Sequence, residues 1–159
     1  MKNPSTSVGV HLMTSTGTLY GTQIIPTSHL PTPVVLIIAG SGPTDRNGNG
    51  PLAGENNSLK QLAEGLADHG IASIRYDKRG IGESSAAGPE EVDLRFDTYA
   101  DDAALWIQQL QVDARFSSVT VIGHSEGSLI GILATKKTEA DAFVSIAGPA
   151  QSASAILRR

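Results

Sequence analysis

The chain has 159 residues, 40% hydrophobic and 18% charged, enough to bury one sizeable core, so a single domain spanning residues 1–159 is expected. Its net charge of -4 offers no basic footprint for nucleic acid or an anionic membrane surface, and the absence of cysteine excludes disulfides, thiolate metal sites, iron–sulfur clusters and a cysteine nucleophile. The opening Met1-Lys2-Asn3-Pro4-Ser5-Thr6-Ser7 lacks the apolar stretch of a signal peptide and no run approaches the ~18 residues of a membrane span, so a soluble, cytoplasmic chain is expected.

In chain order, residues 8–13 and 17–25 read as a more exposed hairpin that turns at Ser15-Thr16-Gly17. Val34-Val35-Leu36-Ile37-Ile38-Ala39 follows Pro33 and stops at Gly40; this β-branched run suits a strand covered on both faces, as in parallel sheets. Residues 71–76, 119–122 and 142–147 are shorter runs of the same kind. Helical patterns separate them. Leu59, Leu62, Ala63, Leu66 and Ala67 form one stripe, with Asn57 or Ser58 as N-cap and Gly70 as terminator. Tyr99, Ala100, Ala103, Trp106, Ile107 and Leu110 share a face of a second helix, opened by Asp97 or Thr98. A third is predicted to start at Ser125 and to turn Leu129, Ile132 and Leu133 inward. A hairpin followed by alternating strands and helices predicts an α/β fold with a doubly wound, mostly parallel sheet.

The chemistry gathers at three turns. Gly123-His124-Ser125-Glu126-Gly127 lies between a strand and a helix, the context a G-x-S-x-G elbow requires. Side chains two before and two after the serine would strike neighbouring backbone, hence the glycines. Ser125 is then held in a strained conformation at a helix N-terminus, fit to act as a nucleophile. His124 is expected to pack near the site rather than serve as base. An acyl-transfer serine also needs amides aimed at the oxyanion. The backbone N–H of Glu126 supplies one, and the loop Gly40-Ser41-Gly42-Pro43 supplies the other, from Ser41 or, failing that, Gly42.

The long loop over 40–54 admits other readings. A dinucleotide fingerprint fails because its third glycine position is Asp45, and a phosphate-binding P-loop fails because no Gly-Lys-Ser/Thr follows. Asp45-Arg46-Asn47-Gly48-Asn49-Gly50 matches the opening of a calcium loop, but position twelve is Asn56, with Glu55 one residue early. A polar turn held by Asp45 and Arg46 is expected instead, with no metal and no cofactor. In the third turn, Asp77-Lys78-Arg79-Gly80-Ile81-Gly82-Glu83-Ser84, Asp77 and Arg79 either pin the loop internally or form a solvated surface run.

Taken together, Ala39-Gly40-Ser41-Gly42-Pro43-Thr44-Asp45-Arg46-Asn47-Gly48-Asn49, the Asp77 to Ser84 turn and the Ser125 elbow resemble the α/β-hydrolase superfamily, and within it a bacterial branch of esterase and serine-aminopeptidase-like hydrolases. The resemblance covers nearly the whole chain. It implies a mostly parallel sheet with an antiparallel second strand, of which this chain supplies about the first six strands. It implies Ser125 as nucleophile and the Ser41 and Glu126 amides as oxyanion hole. The triad acid and histidine would follow later strands, and His11, His29 and His69 fall elsewhere. The segment 148–159 opens a helical pattern and stops within about two turns, so a C-terminally truncated chain is expected. Two functions follow: a serine hydrolase acting on a small ester or short peptide, or a catalytically impaired binding module. In the second, the strand Ala142-Phe143-Val144-Ser145-Ile146-Ala147 presents an open edge for self-association.

Overall fold

The computed structural model describes residues 3–51, 54–88 and 93–151. The chain runs β1 (Ser5–Thr14), β2 (Gly17–Pro26), β3 (Thr32–Ile38), α1 (Ser58–Asp68), β4 (Ala72–Tyr76), a 3-10 helix (Gly82–Ala87), α2 (Phe96–Gln111), β5 (Phe116–His124), α3 (Glu126–Thr138) and β6 (Ala142–Ile146). Among the described residues one sheet holds six strands in the order β1-β2-β4-β3-β5-β6. β2 runs antiparallel to β1 and to β4, whereas β3, β4, β5 and β6 are mutually parallel. The expected antiparallel second strand is present.

Alternation along β3 explains why its sequence is apolar without a break. Val34, Leu36 and Ile38 join Ile74, Tyr76, Val121, Trp106 of α2 and Ile130 of α3 on one face. Val35 and Ile37 join Ile24, Ile122 and the Leu59, Ala63, Ala67 stripe of α1 on the other. The sheet is thus sandwiched, and the loops following β3, β4 and β5 meet at the C-terminal edge of the parallel strands. That edge is where sheets of this type place ligands.

Helix termini differ in detail from the sequence reading. Asn57 precedes α1 with φ 52° but makes no side-chain cap bond; Asn56 Oδ1 accepts the Ser58 N–H at 2.8 Å. Gly70, at φ 77°, ends α1 in a Schellman motif, in which its N–H reaches Ala67 O and the Ile71 N–H reaches Leu66 O, both at 3.0 Å. α2 starts at Phe96 after Arg95, so Asp97 and Thr98 lie inside its first turn, where Asp97 complements the helix dipole. The inward face of α3 is also corrected. Its buried residues are Gly127, Ser128, Ile130, Gly131 and Ala134, whereas Leu129 and Ile132 are 37% and 41% exposed. The cause is close approach: a Cβ on Gly131 would lie 2.9 Å from Phe143 and 3.1 Å from Val121, so the helix seats small residues on the sheet and its bulky ones turn away. Among the described residues β6 is an edge strand, as is β1, and it is largely exposed; the helix expected to open after Gly148 falls mostly on 152–159, outside the described residues.

Candidate active site

A single residue, Ser125, separates the last residue of β5 from the first of α3, and it takes φ 52° and ψ -120°. Such a backbone costs a non-glycine residue on the order of 1–3 kcal/mol and persists only where its surroundings enforce it. The enforcement is visible. The Ser125 N–H donates to Ile146 O of β6 at 2.8 Å, and Ser125 O accepts from the Ser128 N–H at 2.9 Å. Ser128 Oγ donates to Gly123 O at 2.6 Å, and Ser145 Oγ to Ser128 Oγ at 3.0 Å. A Cβ on Gly123 would sit 2.2 Å from Gly127 O, and one on Gly127 would sit 2.4 Å from Ile38 O. The steric reason for both glycines holds.

The loop after β3 passes beside this elbow. A Cβ on Gly40 would lie 3.3 Å from Ser125 Cβ and 3.2 Å from His124 Nδ1. Thr44 fastens the next turn, its N–H donating to Gly42 O at 2.8 Å and its hydroxyl to Ser41 O at 3.0 Å. Ser41, Thr44, His124 and Ser125 border a cavity of about 160 Å³. Gly42 and Glu126 border a larger one of about 570 Å³, together with Lys78, Ile81 and Tyr99. Every residue singled out from sequence for the site therefore lies at one end of the sheet. Of the histidines, His29 precedes β3 and His69 precedes β4, which puts both at the far edge, and His11 is exposed on β1. Among the described residues no hydrogen bond joins the half-buried His124 ring to the Ser125 hydroxyl.

The polar-turn reading of 45–50 accounts for the geometry. Asp45 Oδ1 accepts the N–H groups of Asn47 and Asn49, each at 2.8 Å, so this oxygen serves the loop's own backbone. Arg46 crosses to the turn after β4, where its backbone N–H and its Nη2 each reach the Asp77 carboxylate at 2.7 Å, and Nη2 also pairs with Glu83. Among the described residues, no group of three or more His, Asp or Glu is placed to share a metal ion.

The two readings left open for the Asp77 turn are separated by burial. Asp77, Lys78 and Arg79 are 2%, 3% and 4% exposed, so this is no solvated surface run. Arg79 is anchored by a residue the sequence did not single out: its Nε and Nη2 donate to Asp102 of α2 at 2.7 and 2.6 Å. The hydrogen bonds to Asp102 push the Arg79 guanidinium up from its ordinary value. Burial raises the Asp102 carboxyl, and Arg79 pulls it only part of the way back. Lys78 was also missed. Its Nζ donates to Gly40 O at 2.6 Å and to Glu126 Oε2 at 3.2 Å, and it lies 5.4 Å from the centre of the Tyr99 ring. Burial, followed by the Glu126 charge, raises the Tyr99 phenol, which keeps it neutral. The available signal was position, since a charged triplet directly after a buried strand enters the layer between sheet and helices.

Comparison with known proteins agrees with this geometry. Residues 52–157, about two thirds of the chain, match the family described as serine aminopeptidase, S33. The chain is 32% identical over 133 residues to esterase EstD of Thermotoga maritima, a match covering 84% of this chain and 31% of that protein. It thus spans about a third of the length of that curated relative. Among solved structures, a lidless α/β serine hydrolase from Xanthomonas campestris aligns with a TM-score of 0.70 at 24% identity, over 92% of this chain and 63% of the other. A dienelactone hydrolase from Anabaena variabilis aligns at 0.69 and 22% identity, over 91% and 64%. These structural likenesses bear on the fold, and among the described residues no helix is long and apolar enough to cross a membrane. Family match, sheet order and elbow converge: the chain belongs to the serine aminopeptidase S33 family of α/β hydrolases.

Proposed function

We propose that this chain carries the nucleophile and oxyanion half of a serine hydrolase that cleaves esters of small organic acids. The observation that carries the reading is the enforced positive-φ backbone of Ser125 at the N-terminus of α3, beside the Gly40 to Gly42 loop. In the reaction, Ser125 Oγ bonds to the ester carbonyl carbon and the carbonyl π pair moves onto oxygen. The backbone N–H groups of Glu126 and Ser41, or Gly42 in place of Ser41, hold that oxyanion. The hydroxyl proton passes to a base, collapse expels the alcohol with that proton, and water repeats the sequence on the acyl-serine to release the acid. The similarity to an esterase supports esters over amides as the substrate class.

On this reading the chain itself does not supply the base or its carboxylate partner: His11, His29 and His69 lie away from the Ser125 edge, and among the described residues the His124 ring makes no hydrogen bond to the Ser125 hydroxyl. An oxyanion hole without its base retains only about 10³-fold catalysis over water. The isolated chain is therefore expected to label slowly with a fluorophosphonate probe at Ser125, to turn over p-nitrophenyl acetate weakly, and to lose all labelling in Ser125→Ala. Labelling complete within seconds would overturn the absence of a base, and unchanged labelling in Ser125→Ala would remove the serine from the reaction.

A second reading, the binding module, is favoured by β6. Among the described residues it pairs with β5 on one side only, and Val144 is 44% exposed. In a solution of the purified chain the strand available to such an edge is a second copy's β6. Self-association is expected, weakened about tenfold or more by Val144→Lys, which is about 1.4 kcal/mol. Light scattering that finds a monomer at millimolar concentration would remove this reading.

A further inference from the structure

We propose that Lys78 is the positioning residue of the oxyanion hole: one buried ammonium that sets the Ser41 amide through the Gly40 carbonyl and ties it to the residue bearing the second amide, Glu126. This rests on the assignment of those two amides above.

The argument starts from the cost of the site. Removing an ammonium from water costs several kcal/mol unless strong partners replace the lost hydration. Lys78 is almost wholly buried, and its partners lie on two separate elements. Gly40 O, in the loop after β3, accepts at 2.6 Å, a short charge-assisted bond. Glu126 Oε2, on the first residue of α3, accepts at 3.2 Å. In the sheet β3 stands between β4 and β5, so the side chain issuing after β4 reaches the loop after its neighbour β3 and, beyond it, the helix that follows β5.

The consequence follows from peptide geometry. Gly40 C=O and Ser41 N–H belong to the same planar trans unit, so they point in opposite directions. Drawing the carbonyl onto Lys78 fixes the amide on the far side, and polarising the carbonyl strengthens that N–H as a donor. Gly40 stands against Ser125, and Ser41 borders the serine's cavity. At the other end of the ammonium, the Glu126 side chain ties down the residue whose own N–H is the second donor. Lys78 thereby sets the spacing between two amides that come from elements distant in sequence. A merely stabilising ion pair would need Glu126 alone, and the Glu126 side chain is partly open to water, where such pairs contribute little.

Lys78→Met keeps the apolar stem and deletes the donors. In the full 159-residue chain, the rate of Ser125 phosphorylation by the uncharged ester diethyl p-nitrophenyl phosphate is expected to fall about 10- to 100-fold, part of what losing a whole oxyanion donor costs. Lys78→Arg, which restores donors, is expected to recover much of that loss. The double variant Lys78→Met/Glu126→Gln is expected to stay slow; recovery of the wild-type rate would mean that the stranded carboxylate caused the loss, and would overturn the proposal. The amide resonances of Ser41 and Glu126 in nitrogen-15 spectra are expected to move in Lys78→Met, with those of β1 unchanged. Should that variant not fold, the wild-type Gly40 carbonyl carbon resonance decides the matter. A strongly deshielded value supports the ammonium bond, and the value of a water-exposed carbonyl overturns it. If the wild-type chain does not react at Ser125 at all, the nucleophile assignment fails, and the Gly40 and Ser41 resonances still test Lys78.

Discussion

Gly123→Ala is expected to destabilise the chain by about 3 kcal/mol or more, and to reduce fluorophosphonate labelling to the level of Ser125→Ala. The added methyl would lie 2.2 Å from Gly127 O, 2.5 Å from the Gly127 carbonyl carbon and 2.5 Å from Ser128 Cα. All three are backbone atoms, so no rotamer relieves the clash. Either β5 or the start of α3 must move, and both carry Ser125. Urea denaturation measures the stability change, with Gly65→Ala as the reference substitution. Gly65 lies in α1, where a Cβ would meet nothing within 4 Å, so alanine there is expected to stabilise by about 0.5–1 kcal/mol. A Gly123→Ala midpoint equal to that of wild type would show that the elbow is not held by backbone contact.

The second large effect is expected in Asp102→Ala, at about 3–5 kcal/mol, because it strands the Arg79 guanidinium with both partners' side chains only 4% exposed in the native chain. Arg79 also donates to Ala87 O at 2.8 Å and to Thr16 Oγ1 at 2.7 Å, so it gathers the hairpin turn, the 3-10 helix and α2 around the turn that carries Lys78. Replacing the pair by apolar residues, Arg79→Met/Asp102→Leu, is expected to recover most of the loss, since no charge is then left buried. A chemical denaturation series on the three variants tests this. A double variant as unstable as Asp102→Ala would show that the hydrogen bonds of Arg79 to Ala87 and Thr16 outweigh the buried charge.

What could be read from the sequence was whatever local sterics dictate. β-branched runs ending in glycine have few alternatives to buried strands, and the glycines at 123 and 127 are demanded by the turn itself. The Asp45 turn was legible for the same reason, since its hydrogen bonds close within four residues. The polar layer beneath the site was not. Asp77 takes a partner 31 positions away, Arg79 one 23 away and Lys78 one 48 away, so the composition of the turn is the same whether its charges face water or each other. The orientation of α3 was missed because the apolar stripe through Leu129 and Ile132 competes with a stripe of small residues. Helical periodicity rewards size, whereas a helix pressed onto a sheet rewards its absence.

The hydrogen bond from the Ser125 N–H to Ile146, and the one from Ser145 to Ser128, both issue from β6. The serine is therefore held from β6 as well as from the close backbone packing of the elbow on β3 and α3. Edge strands open more readily than central ones, so the part of the hold that β6 supplies is only as rigid as the β5–β6 ladder. A strand laid along the free side of β6 would tighten the clamp without entering either cavity, and fraying of that ladder would slacken it.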